Sequence, residues 1–111
     1  MSERERRVGL NEAVFREVNE RIEQLSDAFE LGDQPLDLVC ECADASCVQR
    51  ISLPRSDYEQ LRSKSRFFVV YPGHIDPSVE RVVDDRRSYV VVEKREGEPA
   101  EVAERTDPRD D

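Results

Sequence analysis

Apolar residues recur at Phe15, Val18, Ile22, Leu25 and Phe29, a spacing that gathers them on one face of a helix over residues 11–30. Glu12, Arg16, Glu17, Glu20, Arg21 and Glu23 fill the other face. The pattern predicts an amphipathic helix whose apolar stripe covers a sheet. Asn11 suits the N-cap, and Gly32 followed by Pro35 marks the stop. Residues 1–10 are polar and expected to be disordered.

Beyond Pro35 the period shortens. Residues 36–42 and 48–53 predict two short strands joined through the turn-like Ala43-Asp44-Ala45-Ser46. Pro54 ends the second strand, and Ser56 with Glu59 forms a capping box opening a short helix that presents Tyr58 and Leu61. Residues 66–71 are dense in strand formers, and Pro72-Gly73-His74 breaks them off in a loop where Gly73 lets the backbone approach closely. Residues 79–83 and 88–94 predict a further strand pair turning at Asp84–Arg87, although Val79, Val82 and Val83 also fit a short helix. Residues 98–111 read as an acidic, largely disordered tail in which Pro99–Glu104 adds a helical turn. The fold class expected is α+β: one domain over residues 11–97, with its N-terminal helix packed on a small, mostly antiparallel sheet.

Composition narrows the chemistry. Of 111 residues, 37% are hydrophobic and 39% charged, a thin apolar supply that a metal staple would supplement. The net charge of -9 disfavours contact with nucleic acid and anionic membranes. The charge is uneven: Glu93–Asp111 is acidic, whereas Arg50, Arg55, Arg62, Lys64 and Arg66 make a basic run. Solvated surface is the simplest reading of both runs, and the basic one is the segment suited to a nucleic-acid or ribosomal partner. No stretch approaches the roughly 18 apolar residues of a membrane span, and the first residues lack the apolar core of a signal peptide. The expected location is therefore the cytoplasm, where cysteines serve as ligands or thiols rather than disulfides.

All three cysteines and the single histidine form one constellation: Cys40, Cys42, Cys47 and His74. Cys3His is a complete tetrahedral set for one structural zinc ion, which would staple the hairpin at residues 40–47 to the loop after the 66–71 strand. Buried cysteines serving as small hydrophobes, a reversible thiol switch and a copper(I) site on the C-x-C thiolates are the competing readings. The C-x-C spacing requires the turn to bend if both sulfurs are to reach one ion. A catalytic zinc would keep three ligands and an open position, with Glu41 as a neighbouring carboxylate, but the zinc-deaminase motifs are absent. There is no P-loop and no G-x-G-x-x-G.

The C-x-C-x4-C spacing of Cys40, Cys42 and Cys47 resembles the zinc-binding tail that follows the catalytic domain of SET-type lysine methyltransferases, where three cysteines take a distant fourth ligand. This chain is too short for that enzyme and lacks its cofactor motifs, so only the local geometry carries over. Across nearly the whole chain, the segments Phe15–Ile22, Leu38–Cys47, Asp57–Arg62, Arg66–His74, Glu80–Val83 and Tyr89–Lys94 resemble a family of small uncharacterised actinobacterial proteins. That resemblance implies a cytoplasmic location and places the four candidate ligands in motif-like segments. The function expected is a non-enzymatic, zinc-stabilised module that binds or regulates a protein partner. The alternatives are a nucleic-acid- or ribosome-associated factor using residues 50–66, and a small metal- or thiol-dependent enzyme.

Overall fold

Alternation builds a first, two-stranded sheet from β1 (Leu36–Val39) and β2 (Arg50–Leu53), which pair antiparallel with Leu38 opposite Ile51. Leu36, Leu38, Ile51 and Leu53 point inward, while Asp37 and Ser52 face out. The chain then forms α2 (Arg55–Arg62), β3 (Phe67–Val70), β4 (Glu80–Asp85), β5 (Val90–Lys94) and α3 (Glu98–Arg105). A second, antiparallel sheet has the order β3-β5-β4, with a bulge between Val82 and Asp84. Its central strand carries Val90, Val91 and Val92, all buried, as expected of a strand covered on both faces. The core lies where the two sheets and α2 meet, around Leu38, Ile51, Tyr58, Phe68, Val70 and Val92. The computed structural model describes residues 3–28 and 34–109. The result is α+β, with the N-terminal helix α1 (Glu3–Ala28) lying against β1 and α3.

The helix is present, but it is rotated so that its apolar stripe lies at the border of the buried face rather than at its centre. Val18 and Leu25 are exposed, and Phe15 and Ile22 are only half-buried; Phe29 lies outside the described residues. The buried face consists of Glu12, Arg16, Asn19, Glu20, Glu23 and Ser26. Each charged member of that face meets a partner from a distant part of the chain. Lys94 pairs with Glu12 and Glu80. The Arg16 guanidinium lies over the Phe68 ring and donates to the carbonyls of Ser65 and Ala103, each at 2.6 Å. Glu20 takes Arg62 at 2.5 Å and Arg109 at 2.7 Å, and Glu23 takes Arg55 and Arg109. Charges partnered in this way tolerate a dry site that would exclude them singly, and Arg16 Nε is the guanidinium atom of that face left without a hydrogen-bond partner.

Four local expectations change with it. Residues 3–10 are helical, so Asn11 is not an N-cap; it sits within α1, and its side-chain amide donates to the Ala43 carbonyl at 2.9 Å. α2 opens at Pro54, whose extended backbone sets the entry, and no side-chain cap bond forms. The Ser56–Glu59 box is not used because Ser56 already lies inside the first turn. The turn between β4 and β5 falls later than Asp84–Arg87, since β4 continues to Asp85. Finally, residues 98–109 are not a disordered tail: α3 buries Ala100, Val102 and Ala103. A Cβ on Gly9 would come within 2.7 Å of Val102 Cγ1, so α1 and α3 pack at a separation suited to glycine. After α3, Asp107 pairs with Arg62, and Arg109 joins Glu20, Glu23 and Glu59. No described helix is long and apolar enough to cross a membrane.

The rotated helix makes two measurable claims. Arg16→Ala should destabilise the protein by about 3 kcal/mol, because it leaves a void and unanswered carbonyls. Leu25→Ala should change stability by no more than about 0.5 kcal/mol. Urea unfolding of both variants checks the contrast.

Burial raises the Glu12 carboxyl from 4.5 to about 8, with Lys94 opposing and Glu80 reinforcing the shift. The folded state therefore keeps a proton that the unfolded chain has released. Its stabilising contribution is full below 4.5 and is lost as pH rises through about 8. Unfolding midpoints measured across that range should fall with pH in the native chain and fall less steeply in Glu12→Gln, where the raised Glu41 and Glu23 carboxyls still contribute.

Candidate metal centre

Residues 40 and 41 leave β1 between the two sheets before the chain bends at Cys42 and Ala43. The Cys40 N–H donates to the Gln49 carbonyl at 3.1 Å, and the Glu41 N–H donates to the Val69 carbonyl at 2.9 Å. An extended chain sends alternate side chains to opposite sides. With the bend at Cys42 and Ala43 that the C-x-C spacing requires, Cys40 and Cys42 come to one side, while Glu41 goes to the other, into the core with no exposed surface.

Glu41 then ties three elements together. Its carboxylate accepts the Val69 N–H at 2.9 Å and the Asn19 side-chain amide at 2.7 Å. Asn19 also accepts the Val39 N–H at 2.8 Å and donates to the Val39 carbonyl at 2.9 Å. α1 thus clamps the end of β1, and Glu41 covers the free edge of β3. Burial raises the Glu41 carboxyl, opposed chiefly by Asn19 and the Val69 N–H. Neither role was read from the sequence. The available signal was an asparagine inside a helical run, where its side chain is disfavoured without a specific partner.

The third cysteine returns on a turn organised by Asp44. Its carboxylate accepts the Ser46 N–H at 2.9 Å and the Ser46 hydroxyl at 2.6 Å, and its carbonyl accepts the Cys47 N–H at 3.0 Å. The histidine arrives on a second turn, Tyr71-Pro72-Gly73-His74, closed by the His74 N–H to the Tyr71 carbonyl at 3.0 Å. Gly73 has φ +88°, as the third position of a type II turn requires. A Cβ there would meet nothing within 4 Å, so this glycine is needed for its backbone angle rather than for close approach.

These turns bring all four predicted residues together. His74 Nδ1 lies 3.7 Å from Cys40 Sγ and 3.5 Å from Cys47 Sγ. The ligand atoms of Cys40, Cys42, Cys47 and His74 all lie within 4.8 Å of one another, a group able to hold a metal ion. Cys40 and Cys42 are buried, while Cys47 and His74 are half-exposed. Burial pushes the Cys40 thiol well up, against the Tyr71 N–H that donates to its sulfur at 3.1 Å. Burial also raises Cys42, against the backbone of Asp44. The Tyr71 and His74 rings pack edge to face, with centroids 5.5 Å apart.

Gly73→Ala should lower stability by roughly 1–2 kcal/mol, the cost of a left-handed backbone for a residue bearing a Cβ. Gly73→Asn should lower it less, because asparagine tolerates that region. Thermal unfolding of the two variants gives the ranking.

No family model matches the chain, and neither does any curated protein or solved structure.

Proposed function

We propose that Cys40, Cys42, Cys47 and His74 bind one structural zinc ion, and that the protein is a non-enzymatic, zinc-stabilised module acting on a protein partner. The supporting observation is the pair of sulfur–nitrogen separations, 3.7 and 3.5 Å. A tetrahedron with zinc–sulfur bonds near 2.3 Å and zinc–nitrogen bonds near 2.0–2.1 Å has sulfur–nitrogen edges of about 3.5 Å. Three sulfurs and one nitrogen close that tetrahedron and leave no position for a substrate. The Tyr71 N–H on Cys40 Sγ stabilises a thiolate there.

The surroundings favour a stapling role over catalysis. A cavity of about 290 Å³ beside Cys42 and His74 is lined by Glu12, Asp76 and Glu80. Its carboxylates are already engaged: Glu12 and Glu80 hold Lys94, and Asp76 holds Ser78 and Arg4. The arginines of the basic run are likewise internally paired, and among the described residues only Lys64 of that run has no ion-pair partner. Arg50 pairs with Asp37, Arg55 with Glu23 and Asp27, Arg62 with Glu20 and Asp107, and Arg66 with Glu104. That leaves residues 50–66 poorly suited to a polyanion. Exposed apolar side chains such as Val48, 84% exposed beside the Cys47 ligand, suit contact with another protein.

Purified untagged protein should contain one zinc per chain by elemental analysis, and alanine at any of the four ligands should lower that content and the unfolding midpoint together. Cobalt substitution separates a structural from a catalytic centre: the visible spectrum should be that of tetrahedral thiolate-bound cobalt and should not respond to added azide. Metal-free protein of unchanged stability would defeat the zinc reading, and an azide-sensitive spectrum would defeat the closed, structural site.

A further inference from the structure

α1 uses one face inside the chain and leaves the opposite one without cover. Leu10, Val14 and Val18 are 48%, 60% and 38% exposed there. Glu3, Arg7, Leu10, Val14, Glu17 and Arg21 follow steps of four and three residues, which align them in one row along the helix. The row is acidic, basic, apolar, apolar, acidic, basic. Among the described residues, Glu3 and Arg7 have no ion-pair partner, and Glu17 and Arg21 have only each other at 3.6 Å, both largely exposed.

The geometry points to a second copy of this chain as the occupant of that face, with the two α1 helices antiparallel about a two-fold axis at the level of residue 12. The row is complementary to itself only in that arrangement. Leu10 meets the partner's Val14, Glu17 meets the partner's Arg7, and Arg21 meets the partner's Glu3. The axis repeats each contact, as an isologous interface requires. Val18 widens the apolar strip beside it.

Charge favours this face over the rest of the surface. The chain carries -9 overall, so most approaches of two copies are repulsive. The row sums to zero and replaces repulsion with four cross-pairs flanking an apolar centre. A like-charge register, such as Arg7 against Arg21, is disfavoured by the same residues that favour the correct one.

Sedimentation velocity of the full chain over a range of concentrations tests this independently of the metal. A species of twice the 12.9 kDa chain mass should grow in with concentration. Glu17→Arg and Arg7→Glu should each weaken the dimer by about tenfold or more. Combining the two reverses both Arg7–Glu17 cross-pairs without removing them, leaves the two Glu3–Arg21 pairs as they are, and should restore dimerisation. All four residues tested or matched lie on the exposed face, so circular dichroism should be unchanged in every variant. A monomer at all concentrations would overturn the proposal. So would a dimer indifferent to the single reversals, or a double variant as weak as either single one.

Discussion

A charge taken out of water must find an opposite charge or a set of hydrogen bonds within the fold, and here that requirement falls on one face of α1. Glu12, Arg16, Glu20 and Glu23 are buried, and their partners come from every later part of the chain. Lys94 arrives on β5, Arg62 on α2, Arg109 after α3, and the carbonyls of Ser65 and Ala103 from a turn and a helix end. Such contacts are directional. An apolar face tolerates sliding and rotation, whereas a guanidinium shared between two carbonyls at 2.6 Å does not. The buried polar face therefore sets how α1 sits on the sheets. It also explains why the C-terminal stretch is ordered: Asp107 and Arg109 complete a network that would otherwise leave charge unanswered.

The same face carries the fold's order to the cluster of three cysteines and one histidine. Asn19 holds Val39 through both backbone groups and reaches Glu41. Glu41 in turn fixes its own segment to the edge of β3, so the cysteines on either side of it project together. The histidine turn follows directly from the end of β3, and the Tyr71 N–H reaches Cys40 Sγ. The donor cluster is thus held by the contacts that hold α1, β1 and β3 together. Hydrogen bonds of this kind, made to ligands and to the segments that carry them, orient the donors before an ion is bound.

Local sequence signals were sound wherever short-range chemistry decides. The period-two patterns of β1 and β2, the valine run of β5, the Pro-Gly turn before His74 and the four donor residues were all legible. Each reflects steric or packing preferences expressed over a few residues. The Ser56–Glu59 pair misled because Pro54 had already fixed the entry to α2. Glu98–Arg105 looked like charged tail because its buried side, Ala100, Val102 and Ala103, is small and short.

What the sequence alone determined was that residues 11–28 are helical, that the chain is α+β, and that three thiols and one imidazole are its available soft donors. Only the tertiary structure decided which side of α1 faces inward. Apolar spacing records where the hydrophobic side chains lie around a helix, but it carries no information on what waits opposite the polar ones. Lys94 and Arg109 lie far from Glu12 and Glu20 in sequence and become neighbours only on folding. Their hydrogen bonds to those carboxyl groups, together with Arg16 over Phe68, offset the desolvation of the polar face, and that balance exists only once the distant segments have come together.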